Sequence, residues 1–495
     1  MKKLNVLIIG AGFSGLASAA LLAKEGHQVK VLEKNALAGG RAGILKSDGF
    51  VFDTGPSWYW MPDVFERYFA QFGKTPSDYY HLERLDPSYR FYFGEGEIVD
   101  VPASFKDVED LFNSIEKGSG ARLNKFLAEA EFKYKVAMDK FVYKPGLSVT
   151  EFLQPELLGS VFRLNLFSSF EKHIKKYFRS PRIRQMLEFP ILFLGGTAQN
   201  TPALYSLMNY GDIKLGTWYP KGGMYKVVEG MVQLAESMGV EFIYNSPVSS
   251  IEVENGKVSS VTAGGISHSC DILVASADYH HVEQDLLPAA YREYSQGYWD
   301  KRVLSPSSLI YFMGIDTPLD GMLHHTLFFD EDLDEHARKI YTDPSWPEKP
   351  SIYFSCASKT DDSVAPKGMD NLFALIPIAP GLEDNAEIRA HYFELILNRI
   401  KLMTGQDISN NVSYLKSYAL KEFKEDFNAY KGNAYGLANT LMQTAFLKPK
   451  MMNRKLGNLF YAGQLTVPGP GVPPALISGQ IVAETIKQRI RNKKL

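Results

Sequence analysis

The start of the chain alternates apolar runs with glycines, in a pattern that predicts a strand, a helix and a second strand. The apolar run at residues 4–9 predicts a fully buried strand, and it ends at a glycine-rich turn, residues 10–15. An Ala- and Leu-rich stretch with helical spacing follows to Lys24, and Gly26 ends it. Residues 28–33 predict the second strand. This order is the βαβ unit of parallel α/β sheets.

The turn at residues 10–15 carries the spacing Gly-x-Gly-x-x-Gly between a strand and a helix, which is typical of dinucleotide binding. Gly10 permits the tight turn, Gly12 lets the backbone approach a pyrophosphate, and Gly15 lets the helix pack closely on the strand. The helix N-terminus offers unpaired N–H groups to phosphates. Glu33 ends the second strand, where its carboxylate can accept from both ribose hydroxyls and would repel a 2′-phosphate. The sequence therefore favours FAD or NAD over NADP.

The same strand pattern returns late in the chain. A predicted helix at 225–238 precedes a series of predicted strands, two of which are joined by a hairpin turn at Asn255-Gly256. The last predicted strand, within residues 458–464, enters a Gly/Pro-rich loop at 467–474, and a helix is predicted from 475 to about 491. A second helix N-terminus is therefore expected to face a glycine-rich turn.

The segments between these blocks have a different character. A hairpin is predicted at residues 90–101, a charged helix pair at 107–140, and further strands with one helix between 290 and 415. We predict an α/β fold, with a Rossmann-like domain and an inserted α+β domain that contains a mixed or antiparallel sheet. The predicted boundaries are residues 1–75, 216–290 and 416–495 for the first domain, and 76–215 and 291–415 for the second.

Composition excludes several classes of protein. The 495 residues are 45% hydrophobic and 22% charged, as in an ordinary soluble globular chain, and a net charge of −2 gives no field that would recruit nucleic acid. Two cysteines cannot form a disulfide framework, which favours a reducing compartment. We expect no metal site. The adjacent pairs His280-His281 and His324-His325 lack ligand spacing, and we interpret them as loop or surface histidines.

One segment suggests contact with a membrane. Residues 157–170 are strongly apolar, and six basic residues interleaved with aromatic residues follow between Lys172 and Arg184. Such a segment can lie on a membrane surface, and it can equally be a core helix with a solvated basic face. The pattern alone does not decide between the two.

Several motifs, taken together and in order, resemble a known family. They are Gly10-x-Gly-x-x-Gly15, Glu33, Gly39-Gly40-Arg41, Asp53-Thr54-Gly55-Pro56, Tyr219-Pro220-Lys221-Gly222-Gly223-Met224 and the loop at 463–474. The chain resembles, nearly end to end, the bacterial-type carotenoid desaturases of the amine-oxidase-like flavoprotein superfamily. Among them, the hydroxycarotenoid 3,4-desaturases resemble it slightly more than the phytoene desaturases do.

The resemblance implies non-covalent FAD, since no cysteine lies in the terminal loop to attach the flavin. It implies that the phosphates lie near the first glycines and Arg41, that Glu33 holds the ribose, and that the flavin ring lies near residues 54–57. The cofactor-binding residues that it implies are Gly10, Gly12, Ser14, Gly15, Glu33, Lys34, Gly40, Arg41, Gly55, Pro56, Ser57, Val248, Gly463, Gln464, Gly471, Val472 and Pro473.

The implied reaction moves a hydride from an allylic carbon of a carotenoid to the flavin while a proton is lost. A C40 substrate would come from a membrane, so we expect peripheral attachment on the cytoplasmic side, with a quinone or oxygen as electron acceptor. No catalytic dyad is visible; His173 and Asp212 are weak candidates for the proton acceptor. Two alternatives stay open, a flavin amine oxidase and a prenyl-binding protein of the Rab GDP-dissociation-inhibitor type.

Overall fold

The computed structural model describes residues 3–147, 168–192, 195–440 and 442–494. The strands are, in chain order, β1 (Asn5–Ile9), β2 (Gln28–Leu32), β3 (Ile44–Ser47), β4 (Phe50–Asp53), β5 (Leu82–Arg84), β6 (Tyr89–Gly94), β7 (Glu97–Val101), β8 (Trp218–Pro220), β9 (Glu241–Ile243), β10 (Val248–Glu254), β11 (Lys257–Ala263), β12 (Ile266–Ser269), β13 (Ile272–Ala275), β14 (Ser307–Ile315), β15 (His325–Phe328), β16 (Ile352–Ser355), β17 (Asp370–Ile378), β18 (Val412–Tyr418) and β19 (Leu459–Tyr461).

The α-helices, again in chain order, surround these strands. They are α1 (Phe13–Lys24), α2 (Pro62–Ala70), α3 (Phe105–Ile115), α4 (Ser119–Lys140), α5 (Phe170–Lys175), α6 (Pro181–Leu192), α7 (Leu207–Tyr210), α8 (Tyr225–Ser237), α9 (Tyr279–His281), α10 (Gln296–Asp300), α11 (Leu333–Tyr341), α12 (Ala386–Thr404), α13 (Leu420–Phe427) and α14 (Val472–Arg491).

The predicted opening βαβ unit forms the centre of a five-stranded sheet with the order β19-β13-β1-β2-β9. Every neighbouring pair in this sheet is parallel. Parallel sheets need cover on both faces, which explains why β1 is a nearly continuous apolar run whose last four residues are buried. The strands come from three distant parts of the chain, and helix α1 packs against α8 and α14. The boundaries of the two predicted domains stay a prediction.

A larger mixed sheet forms the second layer, with the order β18-β14-β17-β16-β15-β6-β7. Its pairs are antiparallel except for the parallel pair β15–β6. Apolar residues of one face pack with helix α12 in one core cluster, whereas those of the other face join the core that also contains β1 and α1. The predicted hairpin at residues 90–101 is confirmed as β6 and β7, which form one edge of the sheet.

The sheet corrects our interpretation of His325 as a loop or surface residue, whereas His324 lies in the bend before strand β15. Both are buried, and His325 is the first residue of strand β15, which is buried along its whole length. The sequence pattern did not reveal this because a strand buried on both faces has no alternation of polar and apolar residues. The pair His280-His281 lies in the short helix α9 and is half-buried.

The terminal helix corrects a second prediction. Helix α14 begins at Val472, three residues before the predicted start, and it includes Pro473 and Pro474 in its first turn. Proline is tolerated there because the first N–H groups of a helix have no partner within it. Pro473 and Pro474 therefore belong to the helix, whereas Pro468 and Pro470 remain in the loop before it.

The membrane segment is described only in part. The predicted apolar run lies mostly within 148–167, outside the described residues, whereas the basic residues that follow it begin in helix α5. Within the described ranges, no helix combines the length and the apolar character that a membrane span requires.

Candidate functional site

A cavity of about 270 Å³ lies at the edge of the five-stranded sheet where its strands end. Residues that follow β1, β2, β13 and β19 line it, as expected because the carboxyl ends of parallel strands meet at one edge. The predicted cofactor-binding residues that line it are Gly10, Gly12, Ser14, Glu33, Lys34, Gly40, Arg41, Gly55, Pro56, Val248, Gly463, Gln464, Gly471 and Val472. One cavity therefore collects residues from the start, the middle and the end of the chain.

The three glycines of the first turn differ in what surrounds them. Gly10 has a φ of +94°, which permits the tight turn out of β1. A Cβ built on Gly12 would meet no atom within 4 Å, so the backbone there is open to a ligand. A Cβ on Gly15 would overlap the carbonyl oxygen of Gly10. Gly15 does not line the cavity. It lies where helix α1 packs closely against strand β1.

Glu33 lies buried against the cavity wall and is held by backbone groups. Its carboxylate accepts from the N–H of Ala11 at 2.7 Å and from that of Asn35 at 2.9 Å. Burial raises the pKa of Glu33, and these hydrogen bonds act in the opposite direction. Each carboxylate oxygen has a further lone pair for a ribose hydroxyl. Lys34 also lines the cavity, but its amino group donates to the carbonyl oxygen of Glu425.

Arg41 is a half-buried cation whose guanidinium has an unpaired donor. One Nη donates to the carbonyl oxygen of Asn433 at 3.3 Å, whereas Nε has no partner among the described residues. Burial lowers the pKa of Arg41, and the nearby carboxylate of Asp278 raises it. The guanidinium also lies 5.3 Å from the ring centroid of Phe427. Unpaired donors of this kind bind phosphate oxygens well.

The terminal loop closes the cavity from the other side. The N–H of Gly463 donates to Ser478 Oγ of helix α14 at 3.0 Å, and Gln464 donates to Asn433 Oδ1 at 3.2 Å. Gly471 is the N-cap of α14 and has no side-chain cap, so a second helix N-terminus faces the cavity. Pro473, in the first turn of that helix, does not line the cavity.

The segment 55–57 reaches the cavity only with its first two residues. Gly55 and Pro56 line it, and a Cβ on Gly55 would overlap the carbonyl oxygen of Arg41. Ser57 does not line it; its hydroxyl instead lies 2.6 Å from the hydroxyl of Tyr353 on strand β16. Ser308, Ile310 and Leu375 of the mixed sheet line the cavity as well. Both sheets therefore contribute to its wall.

Neither weak candidate for the proton acceptor lines the cavity. His173 Nε2 lies 3.3 Å from Lys133 Nζ, and burial together with Lys133 lowers the pKa of His173 to about 3. Asp212 accepts from the hydroxyl of Tyr89 at 2.7 Å, and burial raises its pKa to about 7. Both side chains have hydrogen-bond partners within the protein core, and their role as proton acceptors stays a prediction.

Some residues of the cavity were not predicted. Ser276, Ala277 and Asp278 line it directly after strand β13, and Tyr435 lines it from a loop. The first three follow a predicted strand, so the rule that parallel strands end at one edge could have identified them. Tyr435 lies in no recognisable motif, and no sequence signal would have found it.

The residues present fit FAD. Open backbone at Gly12, the unpaired donors of Arg41 and the buried carboxylate of Glu33 are the groups that a pyrophosphate and a ribose require. A model of the family of flavin-containing amine oxidoreductases matches residues 13–487. The chain belongs to this family and is an FAD-dependent oxidoreductase.

Individual proteins give a more specific comparison than the family model does. The chain is 42% identical over 487 residues to a carotenoid 3,4-desaturase of Haloarcula japonica, covering 98% of this chain and 98% of that protein. It is 29% identical over 490 residues to a zeta-carotene-forming phytoene desaturase of Myxococcus xanthus, covering 97% and 93%. A solved oxidoreductase of Methanosarcina mazei has a TM-score of 0.63 at 18% identity, covering 97% of this chain and 100% of that one. These matches confirm the predicted family and fold class.

Proposed function

We propose that the protein is an FAD-dependent carotenoid desaturase that introduces double bonds into an acyclic or monocyclic C40 carotenoid. The observation that carries this proposal is the match to a carotenoid 3,4-desaturase at 42% identity along 98% of both chains. The phytoene desaturase match, at 29% identity, is weaker. We therefore rank 3,4-desaturation of a 1-hydroxycarotenoid ahead of desaturation of phytoene.

The chain's own residues hold and orient the reactants. FAD, when bound, supplies the acceptance of a hydride from an allylic carbon. Gly12 and Arg41 would hold its pyrophosphate and Glu33 its ribose, so the flavin ring would extend toward Gly55 and the mixed sheet. The apolar residues Ile310 and Leu375 of that sheet line this part of the cavity and exclude water from it.

A cluster of aromatic side chains packs together beside the mixed sheet. The ring centroids of Trp58 and Trp60 lie 5.1 Å apart, and Tyr89 and Phe189 each lie 5.5 Å from Trp58. Phe91 of strand β6 lies 5.7 Å from Phe189. Aromatic faces bury large apolar areas against a conjugated chain. Phe91 and Phe189 are fully buried, so the half-buried ring of Trp58 is the face that this cluster would offer to a polyene.

The substrate's insolubility supports attachment to a membrane. Lys172, Lys176 and Arg179, in and after helix α5, are exposed. Basic residues near a bilayer gain about 1 kcal/mol each from anionic lipids. We extend the proposal to a peripheral protein on the cytoplasmic side of the membrane, which passes electrons to a quinone of the bilayer or to oxygen.

Co-sedimentation with liposomes containing anionic phosphatidylglycerol tests the attachment. Replacing Lys172, Lys176 and Arg179 with Gln should reduce the bound fraction several-fold, because the charge that faces the lipid is lost. The matched control replaces three exposed lysines elsewhere, Lys257, Lys416 and Lys424. Equal sedimentation of both triple variants would argue against attachment through α5.

Product spectra test the reaction itself. The FAD-loaded protein is incubated in liposomes with phytoene and, separately, with a 1-hydroxycarotenoid. A red shift of the polyene absorbance shows desaturation, and we expect the larger rate with the hydroxycarotenoid. Oxygen-driven turnover of an amine, with neither carotenoid changed, would instead favour a flavin amine oxidase. A purified protein without flavin absorbance would favour the prenyl-binding alternative.

A further inference from the structure

Three polar side chains form a hydrogen-bonded chain next to the part of the cavity that Pro56 lines. The hydroxyl of Ser57 lies 2.6 Å from that of Tyr353, and the Tyr353 hydroxyl lies 2.8 Å from Nδ1 of His325. His325 and Tyr353 belong to the neighbouring strands β15 and β16, whereas Ser57 follows Pro56 directly in the sequence. Of the three residues, only Ser57 was predicted to contact the cofactor, and no role has been assigned above to Tyr353 or His325.

His325 is the last member of this hydrogen-bonded chain, and one of its ring nitrogens makes no hydrogen bond. The residue is fully buried, and its Nε2 has no hydrogen-bond partner among the described residues. The ring stacks on Trp58 with centroids 3.9 Å apart and an angle of 13° between the planes. A buried polar atom without a partner costs about 1–3 kcal/mol, and a proton that bonds to Nε2 would relieve part of this cost.

The position of His325 connects it to the cofactor cavity. Ile310 and Leu375, which line the cavity, are cross-strand partners, and Leu375 is in turn the partner of Tyr353. Tyr353 faces Leu327, and His325 lies two residues before Leu327 on the same strand. Directly opposed residues and residues two apart share a face of a sheet. One face therefore runs from the cavity wall to His325.

The other end of the chain reaches a small polar cavity. This cavity has about 20 Å³, enough for one water molecule, and its lining includes Ser57, Asp53 and His324. Asp53 accepts from the backbone N–H groups of Met224 and Tyr225, at 2.7 and 3.0 Å. Burial raises the pKa of Asp53 to about 7, so this carboxyl can take up or release a proton near neutral pH.

We propose that His325 accepts the proton that the substrate loses on desaturation, and that Tyr353 and Ser57 pass it to the small polar cavity beside Asp53. The inference rests on the proposed function and adds the proton acceptor to it. His325 is fully buried and lines neither cavity, so the polyene reaches Nε2 when the ring of Trp58, which stacks on the imidazole, moves aside.

Atoms and electrons balance in this step. One C–H bond of the substrate breaks and its hydrogen leaves with both electrons as a hydride, for which the flavin is the oxidant. The neighbouring C–H bond breaks as well; its electron pair forms the new double bond, and its proton bonds to Nε2 of His325. The Nδ1 proton then moves to Tyr353, the Tyr353 proton to Ser57, and the Ser57 proton to water in the small cavity.

Several titratable groups lie near the hydrogen-bonded chain of Ser57, Tyr353 and His325. Burial and the adjacent His324 hold the pKa of His325 well below its ordinary value, so the ring is a neutral base. Asp361 lies near His324, and Tyr435 and Asp53 lie near Tyr353. Because the pKa of His325 is held well below its ordinary value, we expect the rate of the chemical step to lack the pH dependence of an ordinary histidine.

Anaerobic single-turnover kinetics test the acceptor. His325→Gln should slow reduction of the flavin by whichever carotenoid the wild type converts at least tenfold, because a positioned base contributes about 10²–10⁴ and the delocalised allylic cation needs less help. Binding of the carotenoid, followed by its absorbance shift, should be unchanged. The matched control is His336→Gln, a buried histidine of α11 whose Nε2 lies 2.8 Å from the carbonyl oxygen of Pro377. The control should retain the wild-type rate.

Tyr353→Phe separates the acceptor from the relay. His325 can still take one proton in this variant but cannot pass it on. We expect single-turnover reduction within threefold of wild type and steady-state turnover at least tenfold lower. An unchanged steady-state rate would remove Tyr353 and Ser57 from the path.

A spectroscopic readout does not depend on activity. In apo protein labelled with ¹⁵N-histidine, the His325 signals are those missing from His325→Gln. They should report a neutral ring from pH 5 to 8, with a tautomer that changes in Tyr353→Phe. Titration with an ordinary histidine pKa, or single-turnover reduction in His325→Gln within twofold of wild type, would overturn the inference alone. If the wild type converts neither carotenoid, the proposed function fails first, and the inference with it.

Discussion

Two glycines of the first turn are required for different physical reasons. Gly12 has extended backbone angles and open space where its side chain would be, so only a ligand limits its size. Gly15 is limited by the protein itself, because any Cβ there would overlap the carbonyl oxygen of Gly10. The motif has glycine at both positions. The surroundings show that Gly12 leaves room for a ligand, whereas Gly15 lets the helix pack against the strand.

We expect alanine to separate these two roles. Gly15→Ala should lower the free energy of unfolding of the apo protein by about 1–3 kcal/mol, because overpacking forces the helix away from the strand. Gly12→Ala should leave apo stability within about 0.5 kcal/mol but weaken FAD binding at least tenfold. Urea unfolding and flavin fluorescence titration measure the two effects. Equal apo stability of the two variants would contradict this assignment.

The buried carboxyl of Asp212 is expected to make the stability of the protein depend on pH. Its pKa is about 7 in the folded protein against an ordinary value of 3.8. Between these values the folded state holds a proton that the unfolded state has lost, so this residue's contribution to stability falls as pH rises from about 4 to 7. Asp212→Asn should remove that dependence, which amounts to at most about 1.4 kcal/mol per pH unit.

Urea unfolding of the apo protein at several pH values between 4.5 and 7.5 checks this effect. Tyr89→Phe is the control, because it removes the hydrogen-bond donor and keeps the carboxyl that titrates. The difference between wild type and Asp212→Asn should change with pH, and that between Tyr89→Phe and Asp212→Asn should change at least as much. Parallel stability curves for wild type and Asp212→Asn would refute the prediction.

The elements of the nucleotide-binding region could be predicted because their signals are local. Strands β1 and β2 and helix α1 follow from apolar runs and glycine positions a few residues apart. The start of α14 could not be placed, since the two prolines of its first turn occur equally in loops. The burial of His325 depends on strands distant in sequence, and Ser57 bonds to Tyr353 across 296 positions, which no local pattern encodes.

We expect the close contact between helices α1 and α14 to determine both the unfolding temperature and the FAD affinity. A Cβ on Gly479 of α14 would overlap the carbonyl oxygen of Ser14 in α1. Gly479→Ala should push the two helices apart, and both of their N-termini face the cavity. We expect a lower unfolding temperature and at least a tenfold loss of FAD affinity, measured by thermal unfolding and fluorescence titration.

Gly457→Ala is the matched control for this contact. Gly457 lies beside the same helix, but a Cβ there would meet only the Arg489 guanidinium at 3.5 Å, an ordinary contact distance. We expect this variant to retain the wild-type unfolding temperature and FAD affinity. A similar loss in both variants would mean that α14 is sensitive to any change near it, and not to its distance from α1.

At the scale of the whole molecule, the five-stranded sheet and the mixed sheet share no strand, and both contribute residues to the wall of the cavity. The five-stranded sheet provides the residues for a dinucleotide, and the mixed sheet closes the opposite part through Ser308, Ile310 and Leu375. The resemblance could predict residues in motifs, including Gly55 and Pro56. It could not predict which strands of the inserted region reach the cofactor, since that depends on how the two sheets pack.

This arrangement predicts that FAD and ADP protect different parts of the molecule in hydrogen exchange. ADP carries the adenine, the ribose and the pyrophosphate but lacks the ribityl chain and the flavin ring of FAD, so it should slow exchange only in the adenosine and phosphate part of the site, near Gly12 and Asn35. FAD should also slow exchange in the loop at residues 433–437, where Tyr435 lines the cavity. Each ligand is used at 100 times its Kd, where binding adds about 2.7 kcal/mol of stability and occupancy is nearly complete. Equal protection of that loop by both ligands would mean that the flavin ring does not extend toward the mixed sheet, because only the ribityl chain and the ring distinguish the two ligands there.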